Sequence, residues 1–343
     1  MNIEIRPYNF RKATGDEYRL WNETRNRIRA EVLPDDLPIP LEEMFQRLKN
    51  FPPYMDYRVW AAWEVDEPAI VAYGEVWLPL TDNLHLAHFD IHVLPAYRRR
   101  GLARRLLALI RDEAQGKNRR LLMTDTSDRV PAGEAFMARL GAEPGLESHT
   151  NQLVIADLNR ELLPRWQEQA RERAAGFEIG LWEGPYPEAD IDAVVALCDL
   201  LSQQPFGALD IEEFRFDAEQ IRQDEQSLFA RGYERWTLYV RERSTGAFAG
   251  YTEFFWNPNR PEIISQGMTG VFPEYRNRGL GRWLKAAMLE KILAERPQAK
   301  YVRTDNADMN APMLKINTEL GFKPYIAETV WQIATNQVSK YLG

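Results

Sequence analysis

Apolar positions recur with two different periods along this 343-residue chain, and the same succession of periods occurs twice. In each half, helix-like periodicity comes first, and runs rich in β-branched and aromatic residues with strand-like alternation follow. A helix, a strand, a second helix and a closing strand then complete the half. The pattern predicts two copies of one mixed unit of the α/β or α+β class.

The predicted helices of the first copy span residues 14–32, 41–49 and 131–140, and those of the second copy span residues 190–202, 211–231 and 311–320. The predicted strands cover residues 58–64, 70–78, 85–93 and 120–124, then residues 235–242, 247–256, 262–272 and 301–304. Between the copies, a charged segment closed by Gly176 predicts a linker helix over about residues 159–175. The predicted domains are therefore residues 1–158 and 177–343, with a linker at residues 159–176.

The two copies share sequence as well as pattern. "VLPAYRRRGLARRLLALI" at residues 93–110 returns as "VFPEYRNRGLGRWLKAAML" at residues 271–289, an offset of 178 (271 minus 93). "VAYGEVW" and "AGYTEFF" place Tyr73 over Tyr251 and Glu75 over Glu253 at the same offset. A shared order with near-constant spacing indicates a duplicated fold, since solenoid repeats have periods nearer ~20–50 residues.

Charge and cysteine content narrow the class of protein. The net charge of −8 and the sequence pI of about 5.3 argue against nucleic acid as a partner. No apolar run approaches the ~18 residues that a membrane span requires, so we expect a cytoplasmic protein with no membrane partner. The single cysteine, Cys198, lies in an apolar helical pattern and is expected to be a small core residue.

The repeated segment has the pattern of an anion-binding turn. An apolar strand ends, an arginine-rich turn follows, and glycines remove side chains where the next helix begins, so unpaired N–H groups point outward at the positive end of the helix dipole. Such a helix start favours a phosphate, and guanidinium groups suit phosphate oxygens. The residues concerned are Arg276, Arg278, Gly279, Leu280 and Gly281 in the second copy, and Val93, Arg98, Arg100, Gly101 and Ala103 in the first.

These residues resemble the signature of the GCN5-related N-acetyltransferase (GNAT) superfamily, which reads Arg or Gln, two residues, Gly, one residue, Gly or Ala. The resemblance covers both halves, and the tandem arrangement resembles that of mycothiol synthase and related two-domain acetyltransferases. It implies two tandem domains with mostly antiparallel sheets, and acetyl-CoA as donor with no metal. The pyrophosphate would lie on the amides of residues 278–281, and the pantetheine arm would pair with residues 269–271, from Thr269 to Val271. The Val271 amide would polarise the thioester carbonyl.

The resemblance also separates the two copies. The family usually carries an Asn eleven residues before the closing Gly, and this place is taken by Asn310 in the second copy and by Val130 in the first. The family's frequent tyrosine acid, four residues before that Gly, is replaced by Asn317 and Met137. The second copy is therefore expected to be catalytic, with Tyr325 as a substitute acid or with water protonating the thiolate.

A carboxylate must accept the proton of the attacking amine, directly or through a water. Glu253 is the candidate base in the second copy, and Glu328 is an alternative. The competing interpretation of Glu253 is an outward-facing strand residue with no catalytic role. In the first copy, the two-residue period of a strand places His88, Asp90 and His92 on one face. That face is expected to be a hydrogen-bonded one, and His88 or His92 would be the base if the first copy were the working site.

The sequence predicts transfer of an acetyl group to a primary amine of a small molecule by direct attack, without an acyl-enzyme. Two alternatives stay open: a module that binds acyl-CoA without turnover, and an enzyme of the mycothiol synthase type that acetylates a cysteinyl sugar. An acidic stretch around Asp210 and Glu212 could hold a cationic amine, although a solvated helix face is the expected role. The protein is expected to be a monomer or a homodimer.

Overall fold

The computed structural model describes residues 2–66 and 68–343. Its strands are β1 (Ile3–Pro7), β2 (Met55–Glu64), β3 (Ala69–Pro79), β4 (Leu86–Val93), β5 (Leu121–Ser127), β6 (Glu143–Val154), β7 (Phe177–Glu183), β8 (Glu234–Glu242), β9 (Phe248–Trp256), β10 (Ile263–Val271), β11 (Tyr301–Ala307) and β12 (Lys323–Ala334). Its α-helices are α1 (Gly15–Val32), α2 (Leu41–Lys49), α3 (Leu102–Gly116), α4 (Pro131–Leu140), α5 (Leu162–Arg173), α6 (Ile191–Cys198), α7 (Ala218–Ala230), α8 (Leu280–Glu295), α9 (Ala311–Leu320) and α10 (Thr335–Leu342).

The chain forms two compact units, and each contains residues from both sequence halves. Unit 1 comprises the chain up to Glu147 together with Phe206–Glu213 and Ala327–Gly343, and unit 2 comprises Ser148–Pro205 and Phe214–Ile326. These units differ from the predicted division at residues 159–176, because each half gives its closing strand to the unit built mainly from the other half.

The sheet of unit 1 runs in the order β1-β2-β3-β4-β5-β12, with one parallel pair, β4 and β5, and otherwise antiparallel neighbours. The residues Glu328 to Ala334 of β12 pair with β5. Helix α3 buries its apolar face on this sheet, with Leu106, Leu107 and Ile110 fully buried. The predicted mixed, mostly antiparallel fold is confirmed.

The sheet of unit 2 repeats the same topology in the order β6-β11-β10-β9-β8-β7, again with one parallel pair, β10 and β11. The residues Ser148 to Val154 of β6 pair with β11 in the place that β12 takes beside β5. Helix α8 packs on this sheet, and Leu284, Met288 and Ile292 are fully buried in its core.

The helix predicted as a linker is part of a core. Helix α5 packs along α8, and its Leu163, Trp166 and Ala170 are buried, Leu163 and Trp166 within the same apolar cluster as the inner face of α8. Helix α10 occupies the matching place against α3 in unit 1, where Val338 is fully buried. The charged composition that suggested a free linker covers only the outer face of α5.

Several elements differ from the sequence prediction. The first strand of each copy, β1 and β7, and the last helix, α10, were not predicted. The predicted helix 211–231 begins only at Ala218, where the Asp217 side chain caps it by accepting from the amide of Gln220. The preceding Phe206–Glu213 belongs to unit 1, where Asp210 forms an ion pair with Arg120 at 3.0 Å. The acidic stretch is therefore not a helix face.

Within the described ranges, 2–66 and 68–343, we find no helix both long enough and apolar enough to cross a membrane.

The closing strands β6 and β12 each pair within the unit built mainly from the other sequence half. Truncating a core residue on one of these two strands should therefore destabilise that unit. Trp331 on β12 is 7% exposed and donates its Nε1–H to Thr126 Oγ1 at 2.8 Å, whereas Leu153 on β6 is fully buried. Each of Trp331→Ala and Leu153→Ala should cost about 3 kcal/mol. Native-state hydrogen exchange should show lost amide protection in β5 for Trp331→Ala and in β11 for Leu153→Ala. Loss in the reverse strands would contradict the exchange.

Candidate active site

Strands β10 and β11 separate after a short parallel pairing, and this separation defines the site in unit 2. Among the described residues, their pairing covers only Ile263 to Ser265 with Tyr301 to Arg303. Thr269, Gly270 and Val271 continue to pair with β9 on their other side. The inner edge of β10 near Thr269 and Val271 therefore offers backbone groups to an extended chain, as an added strand would require. The Thr269 hydroxyl itself bonds Thr252 Oγ1 at 2.6 Å.

The turn after β10 presents the start of α8 without a side-chain cap. Asn277 (φ 65°) and the N-cap Gly279 (φ 85°) both adopt the left-handed conformation, which places the first amides of the helix outward. No atom lies within 4 Å of a Cβ built on Gly279, and one built on Gly281 would meet only Ile316 at 3.8 Å. The first turn of α8, which begins at the buried Leu280, can therefore accept an anion at close range.

The first arginine of each signature holds the strand end rather than a free anion. Arg276 Nε donates to the carbonyl of Val271 at 3.0 Å, and its second nitrogen donates to Gln203 at 3.0 Å. In unit 1, Arg98 Nε donates in the same way to Val93, but its remaining nitrogens form an ion pair with Glu31. The charge of Arg98 in unit 1 is thus neutralised by the Glu31 carboxylate, whereas Arg276 in unit 2 contacts the neutral amide of Gln203.

A groove of about 360 Å³ lies at the start of α8, and α5 forms one wall of it. Its lining residues are Arg165, Trp166, Gln169, Ala170, Arg173, Asn277, Gly279, Arg282 and Glu319. Arg282 pairs with Glu319 at 2.9 Å, whereas Arg278 stacks over Phe177 with its guanidinium carbon 5.4 Å from the ring centre. The groove combines open amides with three arginines, which suits the phosphates of a nucleotide.

The corresponding turn of unit 1 keeps the same backbone. Gly101 (φ 80°) is again the uncapped N-cap, followed two residues later by Ala103, and Arg100 stacks over Tyr97. Arg104, one residue after Ala103, donates to the carbonyl of Leu342 at 2.5 Å. A second cofactor site there stays a prediction, with α10 lying where α5 lines the groove of unit 2.

Glu253 on β9 is a half-buried carboxylate that accepts from a hydroxyl. The Tyr186 hydroxyl donates to Glu253 Oε1 at 2.5 Å, while the nearby Arg235 is committed to an ion pair with the buried Glu225. Burial raises the pKa of Glu253 above its usual value, although the hydrogen bond from Tyr186 and the charge of Arg235 oppose that rise. A carboxylate with a raised pKa is suited to accept a proton near neutral pH.

Glu75, the counterpart of Glu253, is in a different electrostatic state. Arg25 pairs with its Oε2 atom at 3.0 Å, and the Tyr57 hydroxyl donates to the same oxygen. Burial opposes its ionisation, but Arg25 holds the pKa of the Glu75 carboxyl below its usual value. Its carboxylate is thereby stabilised as an ion and is a weaker base than Glu253.

The predicted histidine face of β4 lies beside this ion pair. Burial lowers the pKa of His92 to about 4, and burial together with Asp125 raises the pKa of Asp90 well above its usual range. Single ligand atoms of Glu75, Asp90 and His92 come within 4.8 Å of one another. The guanidinium of Arg25 already balances the charge of Glu75. We therefore interpret Glu75, Asp90 and His92 as part of an internal polar network rather than as metal ligands.

The other predicted residues of the second copy lie around α9. Asn310 is the N-cap of α9 and accepts from the amide of Met313, and Val130 caps α4 without a side-chain bond. Tyr325 lies on β12, where Arg303 covers its ring at 4.7 Å, and its role as an acid stays a prediction. Glu328 belongs to unit 1. Asn317 is buried and accepts from the ammonium of Lys285 at 2.5 Å.

The family model for the acetyltransferase (GNAT) family matches residues 21–142 and 195–322, one match in each sequence half. The chain belongs to the GNAT family. A mycothiol acetyltransferase of Clavibacter sepedonicus is 29% identical over 253 residues, which cover 70% of each protein.

Solved GNAT structures share the tandem fold. A tandem GNAT protein from the clavulanic acid biosynthesis pathway matches with a TM-score of 0.78 and 26% identity, over 97% of this chain and 99% of that one. A GCN5-related N-acetyltransferase from Sphaerobacter thermophilus has a TM-score of 0.67 at 13% identity, over 97% of this chain and 96% of that one, and shows the fold alone.

Two residues of this GNAT site were not singled out from the sequence. Tyr186 lies 178 positions after Tyr8, the offset of the duplication, and that spacing was a signal that could have found it. Lys285 lies 178 positions after Leu107, so the same offset places a lysine over an apolar residue and was a signal of its unusual position. The structure shows that it is buried.

The two matched glutamates predict opposite effects of neutralisation. Glu253→Gln should stabilise the folded protein at neutral pH. The pKa of Glu253 is higher in the folded than in the unfolded protein, so its ionisation lowers the stability of the natural protein as the pH rises above the usual value of 4.5. The gain should vanish below that pH. Glu75→Gln should cost about 3 kcal/mol at neutral pH, because it leaves Arg25 buried without its partner. Denaturant unfolding between acidic and neutral pH measures both, and equal effects would contradict the assigned charge states.

Proposed function

We propose that this GNAT protein is an acetyl-CoA-dependent N-acetyltransferase that acts on a primary amine of a small molecule, with the chemistry in unit 2. The observation that carries the proposal is the contrast between Glu253 and Glu75. The fold places a carboxylate at the same strand position in both units, and among the described residues Glu75 forms an ion pair whereas Glu253 does not.

Three features of unit 2 would each suit one part of acetyl-CoA. The uncapped start of α8 at Gly279 and Gly281 would hold the pyrophosphate, and the arginine-lined groove beside α5 would hold the nucleotide end. The free inner edge of β10 at Thr269 to Val271 would bind the pantetheine arm. When bound, acetyl-CoA supplies an activated thioester to the amine.

The residues of the chain would then act on protons and charge. Glu253 would take the proton of the attacking amine, while Tyr186 holds the carboxylate in one orientation. The amide of Val271 would stabilise negative charge on the carbonyl oxygen. Arg276 would support this by holding the Val271 carbonyl, and with it the end of β10, in place.

Direct attack by the amine, without an acyl-enzyme, is supported by the state of the single cysteine. Cys198 packs with the core of α6, and burial raises the pKa of its thiol to about 12. The thiolate is the nucleophilic form, so this side chain stays unreactive at neutral pH.

The similarity to a mycothiol acetyltransferase favours one acceptor for a first assay. A cysteinyl amino sugar carries a primary amine beside a thiol, and we propose it as the second, narrower candidate for the function. Comparison with a simple alkyl amine of equal charge would separate it from general amine acetylation. Assembly as a monomer or homodimer stays a prediction.

Filling each turn with a large side chain should show which unit binds the cofactor. Gly281→Trp should abolish acetyl-CoA binding, because the indole would occupy the space before the first amides of α8. The matched control Ala103→Trp should leave the stoichiometry unchanged at one site. Isothermal titration calorimetry measures binding to both variants. If Ala103→Trp lost the site and Gly281→Trp kept it, the cofactor would bind to unit 1 and the proposal would be wrong.

Removing the proposed base should change the pH dependence of turnover. Glu253→Gln should lower kcat about 100-fold at neutral pH and less at high pH, where the amine is already deprotonated. Release of free CoA, followed with a thiol reagent against a panel of amines, measures the rate. An unchanged pH profile would remove Glu253 from the role, and no CoA release with any amine would favour a cofactor-binding module without turnover.

A further inference from the structure

Lys285 is a buried cation in unit 2 that none of the steps above uses. Its side chain is 1% exposed on the inner face of α8, and its ammonium donates to Asn317 Oδ1 at 2.5 Å. Asn317 donates in turn to Asn306 Oδ1 at 2.7 Å. The Nζ atom lies 5.4 Å from the ring centre of Phe322, and Asn151 also donates to Asn306. All the hydrogen-bonding partners in this chain of contacts are uncharged amides.

The fold does not need a lysine at this position. The duplicated helix α3 carries Leu107 at the matching place, and α4 carries Met137 opposite it where α9 carries Asn317. Leu107 and Met137 are buried in the same apolar cluster of unit 1. Burying an ammonium without a carboxylate is costly, whereas the apolar pair packs at no such cost. Unit 2 therefore keeps a polar set that the same architecture can replace with hydrocarbon.

The polar set lies at the wall of the strand separation. Asn306 belongs to the part of β11 beyond Arg303, where β11 no longer pairs with β10 among the described residues. The pantetheine arm would run in that opening. Lys285 follows Gly281 by about one turn of α8, and its contact with Asn317 connects it to Asn306 at the opening. Asn317 also takes the place of the frequent tyrosine of the family.

We propose that the ammonium of Lys285 donates the proton to the sulfur of CoA as it leaves, with Asn317 positioning it. This inference rests on the proposed function. The amine nitrogen forms a bond to the acetyl carbon and gives its proton to Glu253. The bond between that carbon and sulfur breaks, its electron pair goes to sulfur, and Lys285 supplies the proton that makes the thiol. Solvent then returns a proton from Glu253 to Lys285.

The titration of Lys285 is matched to this role. Burial lowers its pKa to about 7, so the free protein holds it partly protonated at neutral pH, and an adjacent thiolate would favour the charged form. Arg282, one turn before Lys285 on α8, and Glu319 on α9 pair with each other. The ammonium therefore has no competing carboxylate in this contact network to hold its proton.

The test compares CoA with desulfo-CoA, which lacks the sulfur. The variant Lys285→Leu/Asn317→Met transplants the apolar pair of unit 1 into unit 2. By calorimetry at pH 7, it should bind CoA about 10-fold more weakly than the natural protein and bind desulfo-CoA equally well. Equal affinities of the two proteins for CoA would overturn the role of Lys285. Absence of binding of both CoA and desulfo-CoA to the natural protein would overturn the proposed function and this inference with it.

A second measurement needs no variant. The ultraviolet absorbance of the thiolate should show CoA bound to the natural protein ionising at lower pH than free CoA, because the ammonium stabilises the anion. Ionisation at or above the pH of free CoA would contradict the proposal. The variant also has a folding check: its stability should exceed that of the natural protein near pH 7, and the difference should shrink toward the ordinary lysine pKa of 10.5, where the unfolded chain loses its extra proton.

Discussion

The parallel pairing of two strands, which stops after three residues, is the constraint on which the candidate site depends. Backbone N–H and C=O groups in a sheet need partners, and beyond Ser265 the described part of β11 no longer pairs with this edge of β10. An extended ligand can supply that missing ladder. The fold therefore fixes the direction of the ligand, because the same strand leads directly into the uncapped start of α8. Binding of phosphate and placement of the reactive end follow from a single strand-turn-helix segment.

Duplication has preserved this backbone while the charges around it diverged. Glu75 and Glu253 occupy equivalent strand positions, yet one is held by Arg25 and the other by the hydroxyl of Tyr186. Lys285 and Leu107 also occupy equivalent positions, and there unit 2 buries an ammonium whereas unit 1 buries an apolar side chain in its core. Two copies within one chain thus act as an internal control: features present in both belong to the fold, and features confined to unit 2 are those that chemistry can require.

The sequence predicted the architecture well, because the repeat supplied two readings of each element. The strand-turn-helix segment and the place of Glu253 followed from spacing alone. The pairing of the closing strands could not be predicted from the sequence. A closing strand such as β12 has the same alternation whichever neighbour it joins, so periodicity could not reveal that it pairs with β5. The start of α7 at Ala218 likewise depends on the packing of residues 206–213 in unit 1, which a single sequence does not encode by pattern.

The exchange of closing strands reverses the order in which the units can be completed on the ribosome. Domains are usually finished in the order in which they are synthesised, from the N-terminus onward. Here unit 2 has all of its residues once Ile326 has emerged, whereas unit 1 lacks its sixth strand and α10 until Ala327–Gly343 has been made. The edge of β5 therefore has no partner from β12 until residues 327–334 have been made.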